Sequence, residues 1–147
     1  MADKQLIFYI FFIAIGIFIN ILIEGSVLNL GYFYYSVSPT LFGIWWFTYV
    51  LWVPWLLVTY ELGNWLSKRF KLTKYLFYFL IGAFFAFSID QYATTVGLYS
   101  YTWNSVLSIG KVPIEDFFAV GLMITLSVTI SSFLSEKIIK KSGKTKL

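Results

Sequence analysis

The chain has 147 residues, of which 59% are hydrophobic and only 12% are charged, and its mean hydropathy is +0.78. This composition excludes a soluble globular protein and indicates an integral membrane protein. The sequence contains neither Cys nor His, which excludes disulfides, thiol nucleophiles, histidine bases and the usual ligands of zinc, haem and iron–sulfur clusters. Any chemistry must therefore use carboxyl groups, hydroxyls, Lys, Arg or aromatic rings.

Four apolar stretches predict transmembrane helices, since a span needs about 20 apolar residues. In chain order they are Leu6 to Ile23, Leu41 to Leu62, Tyr75 to about Ile89 and Val112 to Leu134. The first stretch is too long for a secretory signal and lacks a small-residue cleavage pattern, so we expect it to be retained. The predicted fold is an all-α polytopic membrane bundle that forms a single domain over residues 1–147.

The basic residues predict the orientation of this bundle. All but Lys111 fall on one predicted side, at the N-terminus, in the second loop and in the tail: Lys4, Lys68, Arg69, Lys71, Lys74, Lys137, Lys140, Lys141, Lys144 and Lys146. By the positive-inside rule both termini are cytoplasmic. The net charge of +4 is explained by topology and by contact with anionic lipid, so no nucleic-acid partner is expected. A prokaryotic cell membrane is the expected location.

The second half of the sequence resembles the first. An ungapped alignment of the two halves that starts with Leu6 on Leu72 contains a series of identical pairs and places Glu24 on Asp90. The pairs include Leu6 with Leu72, Phe11 with Phe77, Gly16 with Gly82, Phe18 with Phe84, Ile23 with Ile89, Gly31 with Gly97 and Tyr35 with Tyr101. This pattern predicts two parallel two-helix repeats, about 1–70 and 71–147, related by a pseudo-twofold axis along the membrane normal.

Four carboxyl groups lie at the predicted outer ends of the spans or in the outer loops: Glu24, Asp90, Glu115 and Asp116. Counting about 20 residues outward along each span places Glu24 and Asp90 close to or inside the hydrocarbon boundary. Ionisable groups at that depth are costly and by default indicate function. Because the repeats are related by an axis, we expect Glu24 and Tyr35 to face Asp90 and Tyr101 near the centre of the bundle.

The fourth span opens with Pro113, Glu115 and Asp116, and two interpretations stay open. Pro at the first helical position and acids in the first turn are ordinary features of a helix start. On the other hand, the first repeat has Thr48 and Tyr49 at the positions that the repeat alignment matches to these acids, so the architecture does not require carboxylates there. Adjacent carboxylates point about 100° apart on a helix, so at most one is well aimed at a given pocket.

These motifs resemble a known family. The run Pro113-Ile114-Glu115-Asp116-Phe117-Phe118, preceded by Asp90, Gly97 and Tyr99-Ser100-Tyr101-Thr102-Trp103, resembles the integral-membrane lycopene cyclase domain of carotenoid cyclases. The first half is similar to the related membrane carotenoid hydratases, through Glu24, Gly31-Tyr32-Phe33-Tyr34-Tyr35, Pro39, Leu41-Phe42-Gly43-Ile44 and Trp52. Together the resemblances touch about two-thirds of the chain through short, sparse motifs.

The resemblance implies acid-catalysed cyclisation or hydration of the end of a linear polyene such as lycopene, with no net redox change. A protonated carboxyl would supply the proton, and aromatic faces would stabilise the cation. The implied proton donor is Glu115, with Asp116 as its partner, and the implied base is Asp90. A catalytic role for Glu24 is implied more weakly, by the likeness of the first half to the hydratases. The implied pocket is lined by Tyr35, Tyr99, Tyr101, Trp103 and Pro113. The donor role requires Glu115 to face a closed, dry cavity, and no metal or cofactor is expected.

The family usually has two three-span copies, whereas this chain has four spans and one acidic Pro-x-Glu element. We therefore expect a homo-oligomer or a hetero-oligomer with another membrane subunit. The alternative is a non-catalytic small subunit that packs in a larger membrane complex or binds isoprenoid lipid through its many aromatic residues. A small proton-coupled transporter ranks last, because neither Glu24 nor Asp90 lies near the middle of the membrane.

Overall fold

The computed structural model describes the backbone of residues 2–38, 40–41, 44–102 and 105–144. Four long helices dominate it, namely α1 (Ala2–Asn29), α2 (Trp46–Phe70), α3 (Lys74–Thr95) and α4 (Ile114–Lys144). Six short strands lie between them, namely β1 (Phe33–Tyr35), β2 (Thr40–Leu41), β3 (Ile44–Trp45), β4 (Tyr99–Tyr101), β5 (Ser108–Ile109) and β6 (Val112–Pro113).

Three helices are long and apolar enough to cross a membrane, over Lys4–Asn29, Lys74–Thr95 and Ile114–Lys140. The predicted membrane character and helical content are thereby supported at the level of length and composition. Helix α2 has 25 residues and is long enough, but it is less apolar because it carries several Trp and Tyr residues and Glu61. Pro54 lies inside α2, where it removes one backbone hydrogen bond.

The four helices alternate in direction, as contacts at three levels indicate. At one level the Tyr9 hydroxyl donates a hydrogen bond to Glu61. At the middle level Gly16 faces Leu56 and Ser131. At the third level Glu24, Thr48, Asp90 and Asp116 border one space. We call the level of Tyr9 and Glu61, nearest to both chain termini, the terminal end, and the level of the strands the hairpin end.

The helices pack around a small apolar core. Phe12, Leu56, Tyr78, Ile124 and Val128 are each fully buried and form one cluster from all four helices. Helices α3 and α4 approach closely, because a Cβ atom on Gly82 would lie 2.8 Å from Cγ2 of Ile124. Small residues at such contacts are typical of membrane helices. Helix α1 packs mainly on α4 and only loosely on α2, which leaves space between the helices.

The strands form three two-stranded antiparallel ribbons at the hairpin end, which were not predicted. Strand β1 pairs with β4 and joins the two halves of the chain, with Tyr34 opposite Ser100. Ribbons β2–β3 and β5–β6 are hairpins that lead into α2 and α4. The predicted spans from Leu41 and Val112 are therefore wrong at their starts, since these residues are in strands. Short apolar runs do not distinguish a strand from a helix start by hydropathy.

The two halves have the same element order, with an unequal spacing. Strands β1 and β4 keep the offset that aligns Tyr35 with Tyr101, and each follows a glycine with positive φ, Gly31 at 75° and Gly97 at 78°. Helices α2 and α4 have a slightly larger offset, because they begin at Trp46 and Ile114. The third residue of α2, Thr48, thus matches Asp116. The sequence alignment that matched Thr48 with Glu115 was wrong by one residue.

Candidate functional site

A cavity of about 610 Å³ lies at the hairpin end between the four helices and the β1–β4 ribbon. Its size is within the usual range of ligand pockets, about 300 to 1,000 Å³. Most of the lining is apolar or aromatic. The lining residues are Ile23, Glu24, Val27, Tyr32, Phe33, Tyr35, Trp45, Phe47, Thr48, Leu51, Trp52, Trp55, Ile89, Asp90, Tyr92, Ala93, Leu98, Tyr99, Tyr101, Asp116, Ala119, Val120 and Met123. Three carboxyl groups, Glu24, Asp90 and Asp116, face this apolar space.

Glu24 is held by a tyrosine from the ribbon. It lies near the end of α1 and is only 9% exposed. The hydroxyl of Tyr35 donates a hydrogen bond to its Oε1 atom and lies 3.3 Å from the hydroxyl of Thr48. Glu24 on α1 is thus bonded by Tyr35 of β1, and Tyr35 in turn contacts Thr48 of α2.

Asp90 on α3 and Asp116 on α4 form a second carboxyl site in the cavity. Their side chains are within hydrogen-bonding reach of each other, as a proton shared between two carboxyl groups allows. The hydroxyl of Tyr101 lies 3.5 Å from Oδ2 of Asp90 and also reaches Asp116. Oδ2 of Asp116 is buried and has no hydrogen-bond partner among the described residues. One oxygen of the pair is thus buried without a hydrogen-bond donor among the described residues.

Three tyrosines contact one another edge to face near the two carboxyl sites. The ring of Tyr99 lies 5.7 Å from that of Tyr35 and 5.6 Å from that of Tyr101. Burial raises the pKa of Tyr99 and of Tyr101, and the negative charge of Asp90 raises both further. Burial, followed by the charge of Glu24, likewise raises the pKa of Tyr35. All three phenols therefore stay protonated at neutral pH and can donate hydrogen bonds to the carboxyl groups.

None of the described residues that line the cavity is basic. The carboxyl groups are consequently surrounded by hydroxyls and aromatic rings, without a Lys or Arg to pair with them. On the rim the side chain of Tyr92 is 68% exposed and Ala119 is also exposed. The cavity thus opens sideways between helices, where lipid would lie. Such an opening suits a long apolar molecule that enters from the membrane.

The structure brings together six of the nine residues that the sequence analysis selected: Glu24, Asp90, Asp116, Tyr35, Tyr99 and Tyr101. Trp103 lies outside the described residues. Pro113 is buried in the β5–β6 ribbon, opposite Ser108, and does not line the cavity. The prediction that Pro113 is in the pocket is therefore wrong.

Glu115 does not face the dry cavity that its role as proton donor requires. Its side chain is exposed and accepts a hydrogen bond from the hydroxyl of Ser105. The cause is helical geometry, since Asp116 points into the cavity and the preceding residue is rotated by about 100° away from it. The condition that the sequence analysis set for Glu115 as proton donor is not met. Asp116, which was its expected partner, takes the inward position.

The cavity is also lined by Thr48, Phe33 and Trp52, which were not predicted from the sequence. A signal for Phe33 was present, because it is two residues before Tyr35 and side chains alternate between the two faces of a strand. Thr48 would have been found from an alignment of the two halves that pairs it with Asp116. Trp52 lies one turn after Thr48 on the same face of α2.

Among the described residues, no group of three or more Asp, Glu, His or Cys side chains is arranged to hold a metal ion. Comparison of the chain with protein-family models, with curated proteins and with solved structures gave no match in any of the three. The function is therefore inferred from the residues and geometry of the cavity.

Proposed function

We propose that the chain is a four-span integral membrane protein built from two parallel repeats, 1–70 and 71–147, with both termini in the cytoplasm. The β1–β4 register supports this, because Tyr34 lies opposite Ser100 and these residues are one repeat apart. The tyrosine–carboxyl pairs support it too. Tyr35 with Glu24 and Tyr101 with Asp90 have the same separation along the chain. The basic residues supply the orientation.

We further propose that the cavity binds the end of a linear polyene and protonates its terminal double bond. The observation that carries this proposal is the convergence of Glu24, Asp90 and Asp116 in an apolar, aromatic cavity without a basic residue among its described lining. A carboxyl group is the strongest acid that such a cavity offers. The sideways opening leaves room for the remainder of a long chain in the lipid.

In the proposed reaction the Asp90–Asp116 pair is the acid. The proton that the two carboxyl groups share moves to the terminal double bond, so that one O–H bond breaks and one C–H bond forms. The positive charge remains on the neighbouring tertiary carbon. An internal double bond of the polyene then attacks this carbon and closes a ring, which moves the charge to a ring carbon.

The second carboxyl site completes the proposed reaction. Glu24 removes a proton from the ring, which restores a double bond and leaves an isomer of the starting polyene. In the hydration variant, water attacks the cation instead and passes its extra proton to the same base. Neither route transfers electrons. Rings of Phe33, Tyr35 and Tyr99 face the cavity and stabilise the cation through their negative faces.

The same cavity supports a second candidate, a non-catalytic isoprenoid-binding subunit. Its aromatic lining would hold an isoprenoid chain whether or not a proton is transferred. Both candidates leave room for oligomers, since large apolar side chains such as Phe18 and Phe84 are exposed on the helices at 60% and 65%. In the membrane these side chains contact lipid or another subunit.

Expression in cells that accumulate an acyclic C40 polyene tests the proposal directly. The pigments are extracted and separated by chromatography and mass spectrometry. We expect a product of the same mass as the polyene for cyclisation, or heavier by one water for hydration. The Asp90→Asn variant, present in the membrane at the normal level, should lose at least about 100-fold of this activity, the usual contribution of a general acid.

Two outcomes decide between the candidates. Unchanged pigment with bound polyene in the purified protein overturns the enzyme and supports the isoprenoid-binding subunit. Unchanged pigment with no bound polyene overturns both. The experiment is repeated with the protein in a native-like bilayer, so that a homo-oligomer is preserved.

A further inference from the structure

A file of polar side chains continues from the cavity towards the terminal end of the bundle. On α1, Asn20 lies one turn closer to the terminal end than Glu24. On α4, the cavity residue nearest to the terminal end is Met123. Ser127 lies one turn further towards that end. The two meet across the helix interface, where the Ser127 hydroxyl donates a 2.6 Å hydrogen bond to Oδ1 of Asn20. The polar file therefore begins where the cavity ends.

The file continues with hydroxyls that are buried and unpartnered. Ser131 and Ser135 follow Ser127 at successive turns on the same face of α4, and both are fully buried. Their hydroxyls have no hydrogen-bond partner among the described residues. The same is true of the hydroxyl of Thr59 on α2 and of Nδ2 of Asn20, which are also fully buried.

Hydroxyls without a hydrogen-bond partner are unusual on helical Ser and Thr residues. A helical Ser commonly bonds back to the carbonyl one turn earlier, as Thr125 does to Gly121 at 2.8 Å. Ser131 and Ser135 do not make this bond. A buried hydroxyl or amide without a partner is costly, so these four groups require partners. The spacing suits water as the partner. Hydroxyls one turn apart are separated by about 6 Å, which one water spans with two hydrogen bonds of about 2.8 Å.

A polar groove lies at the terminal end of the same helices. The groove is lined by Gln5, Phe8, Tyr9, Tyr60, Glu61, Asn64, Lys68 and Glu136. Glu136 follows Ser135 directly, and Tyr60 follows Thr59 directly, so two orphaned hydroxyls adjoin groove residues in sequence. From Met123 to Glu136 the file follows between three and four turns of helix, or about 20 Å. Its length matches most of the hydrocarbon thickness, about 30 Å.

We propose that Asn20, Ser127, Ser131, Ser135 and Thr59 hold a single file of water molecules that conducts protons between the terminal-end groove and the carboxyl groups of the cavity. A proton enters from the groove and a different proton leaves at Asp90, Asp116 or Glu24. At each hydroxyl and water one O–H bond forms as another breaks, so nothing is consumed. The file connects the outer carboxyl cluster with the aqueous phase on the side of the chain termini. It uses the carboxyl cluster but does not depend on which substrate fills the cavity.

The absence of cysteine from the sequence allows a direct test of hydration. Ser131→Cys and Ser135→Cys place one thiol each in the file, and Val128→Cys is the control, fully buried on the same helix in the apolar core. The S–H infrared band is followed after transfer of the protein in bilayers to D₂O. We expect both file thiols to exchange at least about ten times faster than the control, whose exchange requires opening of the fold.

The direction of access is tested by a plug. Ser135→Leu in the Ser131→Cys background should slow exchange at residue 131 at least about tenfold, since water from the groove must pass residue 135. Exchange at Ser131→Cys as slow as at Val128→Cys overturns the water file and leaves direct hydroxyl contacts between helices. If exchange at residue 131 stays fast when Ser135→Leu is added, the connection to the groove is overturned.

A second measurement uses the wild-type protein, so that the proposal can be tested even if the variants do not fold. Solid-state NMR transfer of magnetisation from water should reach the Ser131 and Ser135 side chains and not Val128. Transfer to none of the three overturns the file. Because neither measurement uses catalysis, failure of the water file and failure of the polyene chemistry are distinguishable.

Discussion

Glu115 and Asp116 are neighbours in the chain, yet their side chains lie on different sides of α4. Asp116 lines the cavity and reaches Asp90, whereas Glu115 is exposed and accepts a hydrogen bond from Ser105. A family motif read along the sequence does not separate the two. The structure assigns the inward position to Asp116 alone.

This difference gives a matched pair of variants. We expect Asp116→Asn to lower the polyene-modifying activity at least about 100-fold, because the shared proton of the Asp90–Asp116 pair is lost. Glu115→Gln changes one atom type at an exposed position and should keep activity within about twofold, as surface changes usually do. Product formation per amount of membrane protein measures both. Equal loss in the two variants would contradict the assignment of the inward position.

The bond between Tyr35 and Glu24 predicts a difference in stability between adjacent tyrosines. Tyr35→Phe removes the hydroxyl that bonds the buried Glu24 carboxyl, and it should lower the free energy of unfolding by about 1 to 3 kcal/mol. Tyr34→Phe is the control, because Tyr34 is 53% exposed on the other face of β1, and its effect should stay within about 0.5 kcal/mol. Reversible unfolding in detergent is the measurement. A silent Tyr35→Phe would indicate that another donor replaces the phenol.

The close approach of α3 and α4 predicts opposite effects at two helical glycines. A Cβ atom on Gly82 would meet Ile124 at 2.8 Å, so Gly82→Ala should overpack the interface and destabilise the fold by about 1 to 3 kcal/mol. Around Gly25 on α1 there is nothing within 4 Å of an added Cβ, and Gly25→Ala should stabilise by up to about 1 kcal/mol through helix propensity. The same unfolding assay compares them. Destabilisation by Gly25→Ala, or none by Gly82→Ala, would contradict the packing.

The sideways opening of the cavity predicts the position at which a larger side chain weakens polyene binding. Ala119 is a small lining residue on α4, and Ala119→Phe should fill part of the cavity and weaken binding of an acyclic polyene about tenfold, or by about 1.4 kcal/mol. Leu122→Phe is the control, since Leu122 is 57% exposed on the same helix and does not line the cavity. Binding to purified protein is followed by the absorbance of the polyene. Equal binding by both variants would place the polyene elsewhere.

Hydropathy predicted the helices, and the alignment of the two halves of the sequence predicted which outer residues meet. Glu24, Asp90, Tyr35 and Tyr101 were expected at one place because the alignment of the two halves pairs them, and all four line the cavity. Their convergence could be derived because it depends on repeated spacing and not on exact helix boundaries.

The helix starts could not be derived in the same way. Ribbons of such short strands have too few positions to carry a periodic pattern, so β3 and β6 were assigned to helices. An error of one residue in a helix start rotates every following side chain by about 100°. The expected role of Glu115 came from a motif match, which does not show which of two adjacent side chains faces the cavity. The polar file was not predicted either, because its members are isolated Ser, Thr and Asn residues within apolar helices.

The pairing of β1 with β4 predicts a specific cross-link between the two halves of the chain. Tyr34 and Ser100 are directly opposite, and their face of the ribbon is the one away from the cavity residues Phe33 and Tyr35. Because directly opposed residues of an antiparallel pair have Cα atoms about 5.5 Å apart, within the range of disulfides, Tyr34→Cys with Ser100→Cys should form a bond under mild oxidation. Tyr34→Cys with Ile109→Cys in β5 is the control and should not. The chain has no cysteine of its own, so the shift in gel mobility and its reversal by reductant report this pair alone. Cross-linking in the control pair, or none in the test pair, would mean that the halves do not meet through this ribbon in the membrane.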